Sequence, residues 1–196
     1  MKELNDDYWS ERYAASQTGW DLSEVSPPLK AYIDQLTNKS LRILIPGCGN
    51  AYEAEYLLSK NFENITLIDI SEVLVSNIKS NYSEHIKNLR LSVLHDDFFE
   101  HSGEYDLIFE QTFFCALNPS LRKDHAKKMS ELLAPNGRLV GIMFNREFDS
   151  GPPFGGLAEE YRTYFEPYFE FKTFEPCYNS VPPRQGVELF INLKKK

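Results

Sequence analysis

The sequence predicts an α/β fold: a mostly parallel sheet between two layers of helices, with an antiparallel last strand. Three observations predict it. Seven apolar strand patterns run along 196 residues, and most alternate with helical patterns. The first strand ends in Gly47-Cys48-Gly49, and Asp69 follows Gly49 by one strand–helix–strand length. The last two strand patterns have only a Pro-rich loop between them, so the final strand enters antiparallel.

The elements follow in order. Residues 1–38 hold both tryptophans, Trp9 and Trp20, with Tyr8, Tyr13 and Tyr32, and little strand pattern. They read as two short helices and a loop, broken at Ser26-Pro27-Pro28. Residues 41–46 are the first strand. Asn50 is placed to cap the next helix, with Glu53 as its capping-box partner. Residues 64–68 are the second strand, and Ser71 caps the helix after it. Residues 89–94 alternate as a third strand, and Tyr105 to Phe109 is a buried fourth. Asn118-Pro119 opens a helix that runs to Leu133, by a capping Asn and a first-turn Pro. Ala134-Pro135-Asn136-Gly137 ends it as a turn. Residues 138–144 are a fifth strand, and 145–156 a Gly/Pro-rich loop. A helix at about 157–165 and strands near 168–174 and 187–193 complete a single domain.

Composition narrows the function. With 42% hydrophobic and 26% charged residues, the chain is an ordinary soluble globular protein. A formal net charge of -8 repels phosphate backbones and argues against nucleic acid. Lys194-Lys195-Lys196 reads as a solvated tail. No apolar run is long enough to span a bilayer, and Met1 to Asp7 lacks the apolar core of a secretory signal. Cys48, Cys115 and Cys177 read as reduced thiols of a cytoplasmic protein. The four histidines lack metal-ligand spacing, so no metal is expected.

The glycines and Asp69 describe a nucleoside site, with backbone approaching the ligand and the acid facing ribose hydroxyls. A dinucleotide fingerprint wants a third Gly or Ala where this chain has Tyr52. Glu53 and Glu55 add negative charge at the same helix start, which repels phosphate. Both features suit S-adenosylmethionine, a nucleoside cofactor without phosphate. Asp97 and Phe98, after the third strand, are placed to accept from and stack on adenine. Glu110, after the fourth, is placed to meet the methionine ammonium. Phe113 and Phe114 read as core. Trp9, Tyr13 and Trp20 form a candidate lid, because indole faces attract a sulfonium. Arg146 and Arg184 flank loops where an anionic acceptor could sit. Cys115 has no recognisable His partner and reads as a buried apolar residue, not a nucleophile.

Three segments carry a family resemblance: Trp9 to Pro28 around Gly19-Trp20-Asp21; Ile45 to Glu53 with Leu67 to Ser71; and Asp97-Phe98-Phe99 with Tyr105 to Pro119 and Gly151-Pro152-Pro153-Phe154. They resemble the thiopurine S-methyltransferase superfamily, nearest its thiol and halide methyltransferases. The resemblance implies a Rossmann-like class I methyltransferase with a seven-stranded sheet. It implies cofactor contacts at Trp9, Trp20, Gly47, Asp69, Asp97, Phe98 and Glu110, and an acceptor pocket near Tyr13 and Phe154. Tyr13 stands where relatives often carry tryptophan, Glu110-Gln111 where they tend to carry Asp-Tyr, and Phe154 where the halide group has Tyr. Loss of that phenol favours thiols over halides, for a monomer acting on a small molecule. An in-line displacement at a sulfonium needs orientation and a dry pocket more than a base. A nucleotide-dependent oxidoreductase and a cofactor-binding protein without catalysis are the alternatives.

Overall fold

The computed structural model describes residues 4–196. It shows a seven-stranded sheet: β1 (Arg42–Pro46), β2 (Asn64–Asp69), β3 (Leu91–His95), β4 (Tyr105–Gln111), β5 (Leu133–Phe144), β6 (Phe169–Pro176) and β7 (Glu188–Lys195). Their spatial order is β3-β2-β1-β4-β5-β7-β6. The pairs from β3 to β5 are parallel, and β7 runs antiparallel to both β5 and β6. Only a loop with one 3-10 turn, Pro182–Arg184, joins β6 to β7, so β7 returns antiparallel into the gap beside β5.

Each strand feeds both faces because side chains alternate. Ile43 and Ile45 point to a core shared with α2 (Pro27–Ile33), α3 (Tyr52–Ser59) and α4 (Glu72–Asn81). Leu44, Ile108 and Leu139 point to the opposite core, shared with α6 (Arg122–Leu132) and α7 (Ala158–Phe165), α5 being the short Ser83–Lys87. β1 buries four of its five residues and presents no polar face, as a central parallel strand must.

The N-terminal α1 (Asp6–Ala14) lies on α4. Asp6 Oδ1 accepts from the Glu72 backbone N–H at 3.0 Å, the Ser10 and Ser71 hydroxyls are 2.9 Å apart, and Asp6 Oδ2 lies 3.0 Å from His95 Nε2. These contacts hang α1 across the carboxyl ends of β2 and β3.

Several local expectations change. Pro27 and Pro28 do not break the segment; they open α2, where a missing N–H costs nothing. Ala51, not Asn50, precedes α3, in the left-handed region at φ 63° and with no side-chain cap. Glu53 turns inward and accepts from the Ser26 N–H at 3.2 Å. α6 stops at Leu132, and Ala134-Pro135-Asn136-Gly137 is a bulge inside β5, where the pairing with β4 shifts register. Lys194 and Lys195 belong to β7, and Lys195 Nζ donates to the Leu133 carbonyl at 2.5 Å, so this run is not a free tail.

Candidate functional site

β1 is followed by β2 on one side of the sheet and flanked by β4 on the other, so their connections part at the carboxyl edge. Ligands of open α/β sheets bind at such a switch point. A cleft of about 1030 Å³ opens there.

Gly47 follows β1 at φ +55°, and a Cβ built on it would stand 2.3 Å from Phe113 Cδ2. The glycine therefore lets the turns after β1 and β4 close on each other. Asp69 ends β2, is 7% exposed, and accepts from Ser71 N at 3.0 Å and, more weakly, Gly49 N at 3.4 Å. Burial pushes its carboxyl up to about 6, against the opposing pull of those backbone donors. A carboxyl so poised lacks only further donors to hold it ionised, which ribose hydroxyls are. Asp97 is exposed at the cleft and Phe98 is buried in its wall. Phe98 meets Phe113 edge-to-face at 5.1 Å.

The aromatic segment closes the opposite wall. Trp20 packs edge-to-face on Trp9 at 5.6 Å and on Tyr13 at 6.1 Å, and all three line the cleft. Burial and the nearby Asp69 carboxylate push the Tyr13 phenol far above its usual range, so it stays a neutral hydroxyl. The Trp20 loop is tied at two points. Asp21 accepts from the Asn50 amide and lies 3.3 Å from the Tyr52 hydroxyl. Arg184 donates from Nη2 to the Trp20 carbonyl at 2.6 Å.

Two expected ligands lie elsewhere. Glu110 is 1% exposed and does not line the cleft. Its Oε1 accepts from the N–H groups of Phe113 and Phe114, and its Oε2 faces His125 Nε2 at 3.5 Å. It shares a strand face with Ile108, toward α6, so it supports the turn after β4 from beneath. Gln111, one residue on, reaches the cleft instead, with a buried Oε1 that has no partner. Gln111 and Thr112 were not singled out by sequence, and only strand parity could have found them. Phe154 is also outside the cleft; its N–H donates to the Cys115 carbonyl at 2.6 Å, while Pro152 and Pro153 line the wall. Of the phenylalanine pair, Phe114 is core, as read, and Phe113 faces the cleft.

Cys115 lines the cleft, but its thiol donates to the Thr112 carbonyl at 3.2 Å. Burial, and then the Glu110 charge, push it well above the usual thiol range, so it is no nucleophile. Arg146 and Arg184 lie at the end of the cleft beyond β5. Among the described residues no group of three metal-ligating side chains converges.

The cradle fits S-adenosylmethionine: a close-approach glycine, a buried carboxyl at the second strand end, an orphaned acceptor on Gln111 and a wall of indoles. The comparisons with known proteins agree. A family described as thiopurine S-methyltransferase (TPMT) matches residues 4–190. The chain is 32% identical to a probable thiol methyltransferase 2 of Arabidopsis thaliana, over all of this chain and 88% of that one. It is 29% identical to thiocyanate methyltransferase 1 of Brassica oleracea, over 95% and 84%. Its fold is that of the Burkholderia thailandensis 1,6-didemethyltoxoflavin-N1-methyltransferase solved with S-adenosylhomocysteine, with a TM-score of 0.75 at 15% identity over 97% and 87% of the chains. A family match across nearly the whole chain settles what the cleft suggests: the protein belongs to the thiopurine S-methyltransferase family and is an S-adenosylmethionine-dependent methyltransferase.

Proposed function

We propose that the methyl acceptor is the sulfur of a small thiol. One observation carries this reading. Among the described residues the cleft is lined by no His or Lys, its lining residues that follow Thr112 in sequence include no Asp, Glu or Tyr, and the Cys115 thiol and the Tyr13 phenol are both held protonated. A hydroxyl or amine acceptor needs a base there to take its proton. A small thiol ionises near pH 8.5 and reaches the site as thiolate without one. The names of the thiol and thiocyanate methyltransferase relatives support the same chemistry. Halide ions need no base either, but they leave the apolar wall of Phe144, Phe148, Pro152 and Pro153 unused.

The cofactor supplies an activated methyl group on a sulfonium. In this reading the chain's own residues orient it and keep water out. Asp69 takes the ribose hydroxyls, Asp97 the adenine amino group, and Phe98 walls the base. Gln111 replaces Glu110 as acceptor for the methionine ammonium, above Gly47. Trp9, Tyr13 and Trp20 close over the sulfonium, which makes residues up to 38 the lid of one domain.

The protein is further proposed to act on a small molecule as a cytoplasmic monomer, without nucleic acid or membrane. The net charge of -8 supports this, as do three free, buried cysteines. No described helix is long and apolar enough to cross a membrane. The large exposed apolar residues, such as Leu89, Leu157 and Tyr178, are far apart in sequence and suggest no association face. The test is incubation with S-adenosylmethionine and matched thiol, phenol and amine acceptors, read by mass spectrometry. S-methyl products alone are expected; O- or N-methyl products without S-methyl ones would overturn the assignment.

A further inference from the structure

The two arginines at the acceptor end do different work. Arg184 is committed: besides the Trp20 carbonyl, its Nη1 lies 3.5 Å from the buried Glu188 carboxylate. Arg146 is not. Its side chain makes one long contact, Nε to the adjacent Glu147 carbonyl at 3.4 Å, and no carboxylate among the described residues lies within ion-pair distance. Its Cζ lies 4.8 Å from the Phe148 ring centre, a contact that neutralises no charge.

The backbone beneath this guanidinium is held firmly. The Arg146 carbonyl accepts from Gly156 N at 2.8 Å, and the neighbouring Asn145 side chain accepts from Ala158 N at 2.9 Å. Beside it, Phe144 and Phe148 meet edge-to-face at 5.1 Å and form an apolar wall. Asp69 and Asp97 line the cleft at the ends of β2 and β3, and Arg146 and Arg184 line it beyond β5, Arg12 on α1 being the third lining cation. A cationic donor belongs by the two acids and an anion beyond β5.

We propose that Arg146 binds a carboxylate of the acceptor, so that the preferred acceptor is an anionic thiol: a sulfur nucleophile joined to a carboxylate through an apolar body that packs on Phe144 and Phe148. This rests on the thiol reading of the same cleft. The thiol gives its proton to water and its sulfur forms the bond to the methyl carbon. The carbon–sulfonium bond breaks, and its electron pair stays on the cofactor sulfur. The carboxylate takes no part in the bond changes and sets position through the planar N–H fork of Arg146.

The test compares 4-mercaptobenzoate with neutral 4-mercaptobenzamide, as kcat/KM with the wild type, Arg146→Gln and Arg146→Lys, and as calorimetric affinity for the S-adenosylhomocysteine complex. The wild type is expected to favour the carboxylate by about tenfold or more, the range of a charge-assisted hydrogen bond. Arg146→Gln brings that ratio near one, chiefly through KM, and Arg146→Lys keeps part of it. Should the Gln variant not fold, raising salt from 50 to 500 mM on the wild type serves instead: the ratio falls as the charge is screened. A wild-type ratio near one, a ratio unmoved by Arg146→Gln, or, in the salt experiment, a ratio unmoved by salt overturns the proposal. Binding that depends on Arg146 without methylation leaves the anion site standing and defeats the thiol reading. Methylation of both thiols at equal rates does the reverse.

Discussion

Asp69 is a carboxyl kept where ionisation is costly. A rise from 3.8 to about 6 corresponds to about 3 kcal/mol between its two forms. Because the folded value is the higher one, its contribution to stability is full below pH 3.8 and lost as pH rises through about 6. The ligand-free wild type should therefore lose about 2 kcal/mol relative to Asp69→Asn between pH 4 and 7, by urea titration at each pH. The cofactor pulls the other way, since ribose donors want the ionised form. Affinity for S-adenosylmethionine should fall as pH drops below 6, and in Asp69→Asn be weak and flat with pH. A pH-independent wild-type affinity would remove Asp69 from the ribose. Gly47 makes a different demand. Gly47→Ala sets a Cβ at φ +55° and 2.3 Å from the Phe113 ring, so it should destabilise by about 1–3 kcal/mol and weaken cofactor binding. An unchanged Tm and affinity would show that the turn has room to spare.

The elements show what the sequence reveals and what it hides. β1 and β4 were legible because continuous apolar runs of strand length, ended by glycine or polar residues, have few other readings. The helix starts were less so. A capping box at Asn50 and Glu53 is sound local chemistry, but Asn50 is drawn to Asp21 and Glu53 to the Ser26 N–H, partners 29 and 27 residues away. Tertiary contacts outbid the local cap. Glu110 failed by one residue of parity: adjacent strand residues face opposite sides, so which of Glu110 and Gln111 meets the cleft depends on a register that sequence does not state. The loop around Trp20 yields a prediction at this scale. Asp21→Ala frees it from α3 and Arg184→Gln frees it from the β7 side. Each should raise KM for S-adenosylmethionine several-fold. Arg184→Gln should also lower Tm, because it leaves Glu188 buried without its guanidinium, whereas Asp21→Ala, at a partly exposed site, should change stability by under about 1 kcal/mol. Equal Tm losses in the two variants would contradict this division.

At the scale of the whole molecule, one sheet edge gathers chain segments that sequence separates. The turns after β1, β2, β3 and β4 form the end proposed for the donor; the loops after β5 and before β7 form the end proposed for the acceptor; α1 and the Trp20 loop also line the cleft. The placement of Gly47, Asp69, Asp97 and Phe98 at this edge was legible, because Gly47 follows β1, Asp69 ends β2, and Asp97 and Phe98 lie two and three residues past β3. The end beyond β5 was readable only as candidate arginines, because Arg146 and Arg184 are about 40 positions apart and their meeting is decided by the β5–β7 pairing. The central claim is that this edge holds a nucleoside without phosphate. The measurement that tests it most directly is calorimetric titration of the protein with S-adenosylmethionine and, separately, with NAD. One-site binding of S-adenosylmethionine on the order of micromolar Kd, with no heat from NAD, is the predicted result. Binding of NAD, or of neither, would contradict the assignment of the Gly47–Asp69 unit.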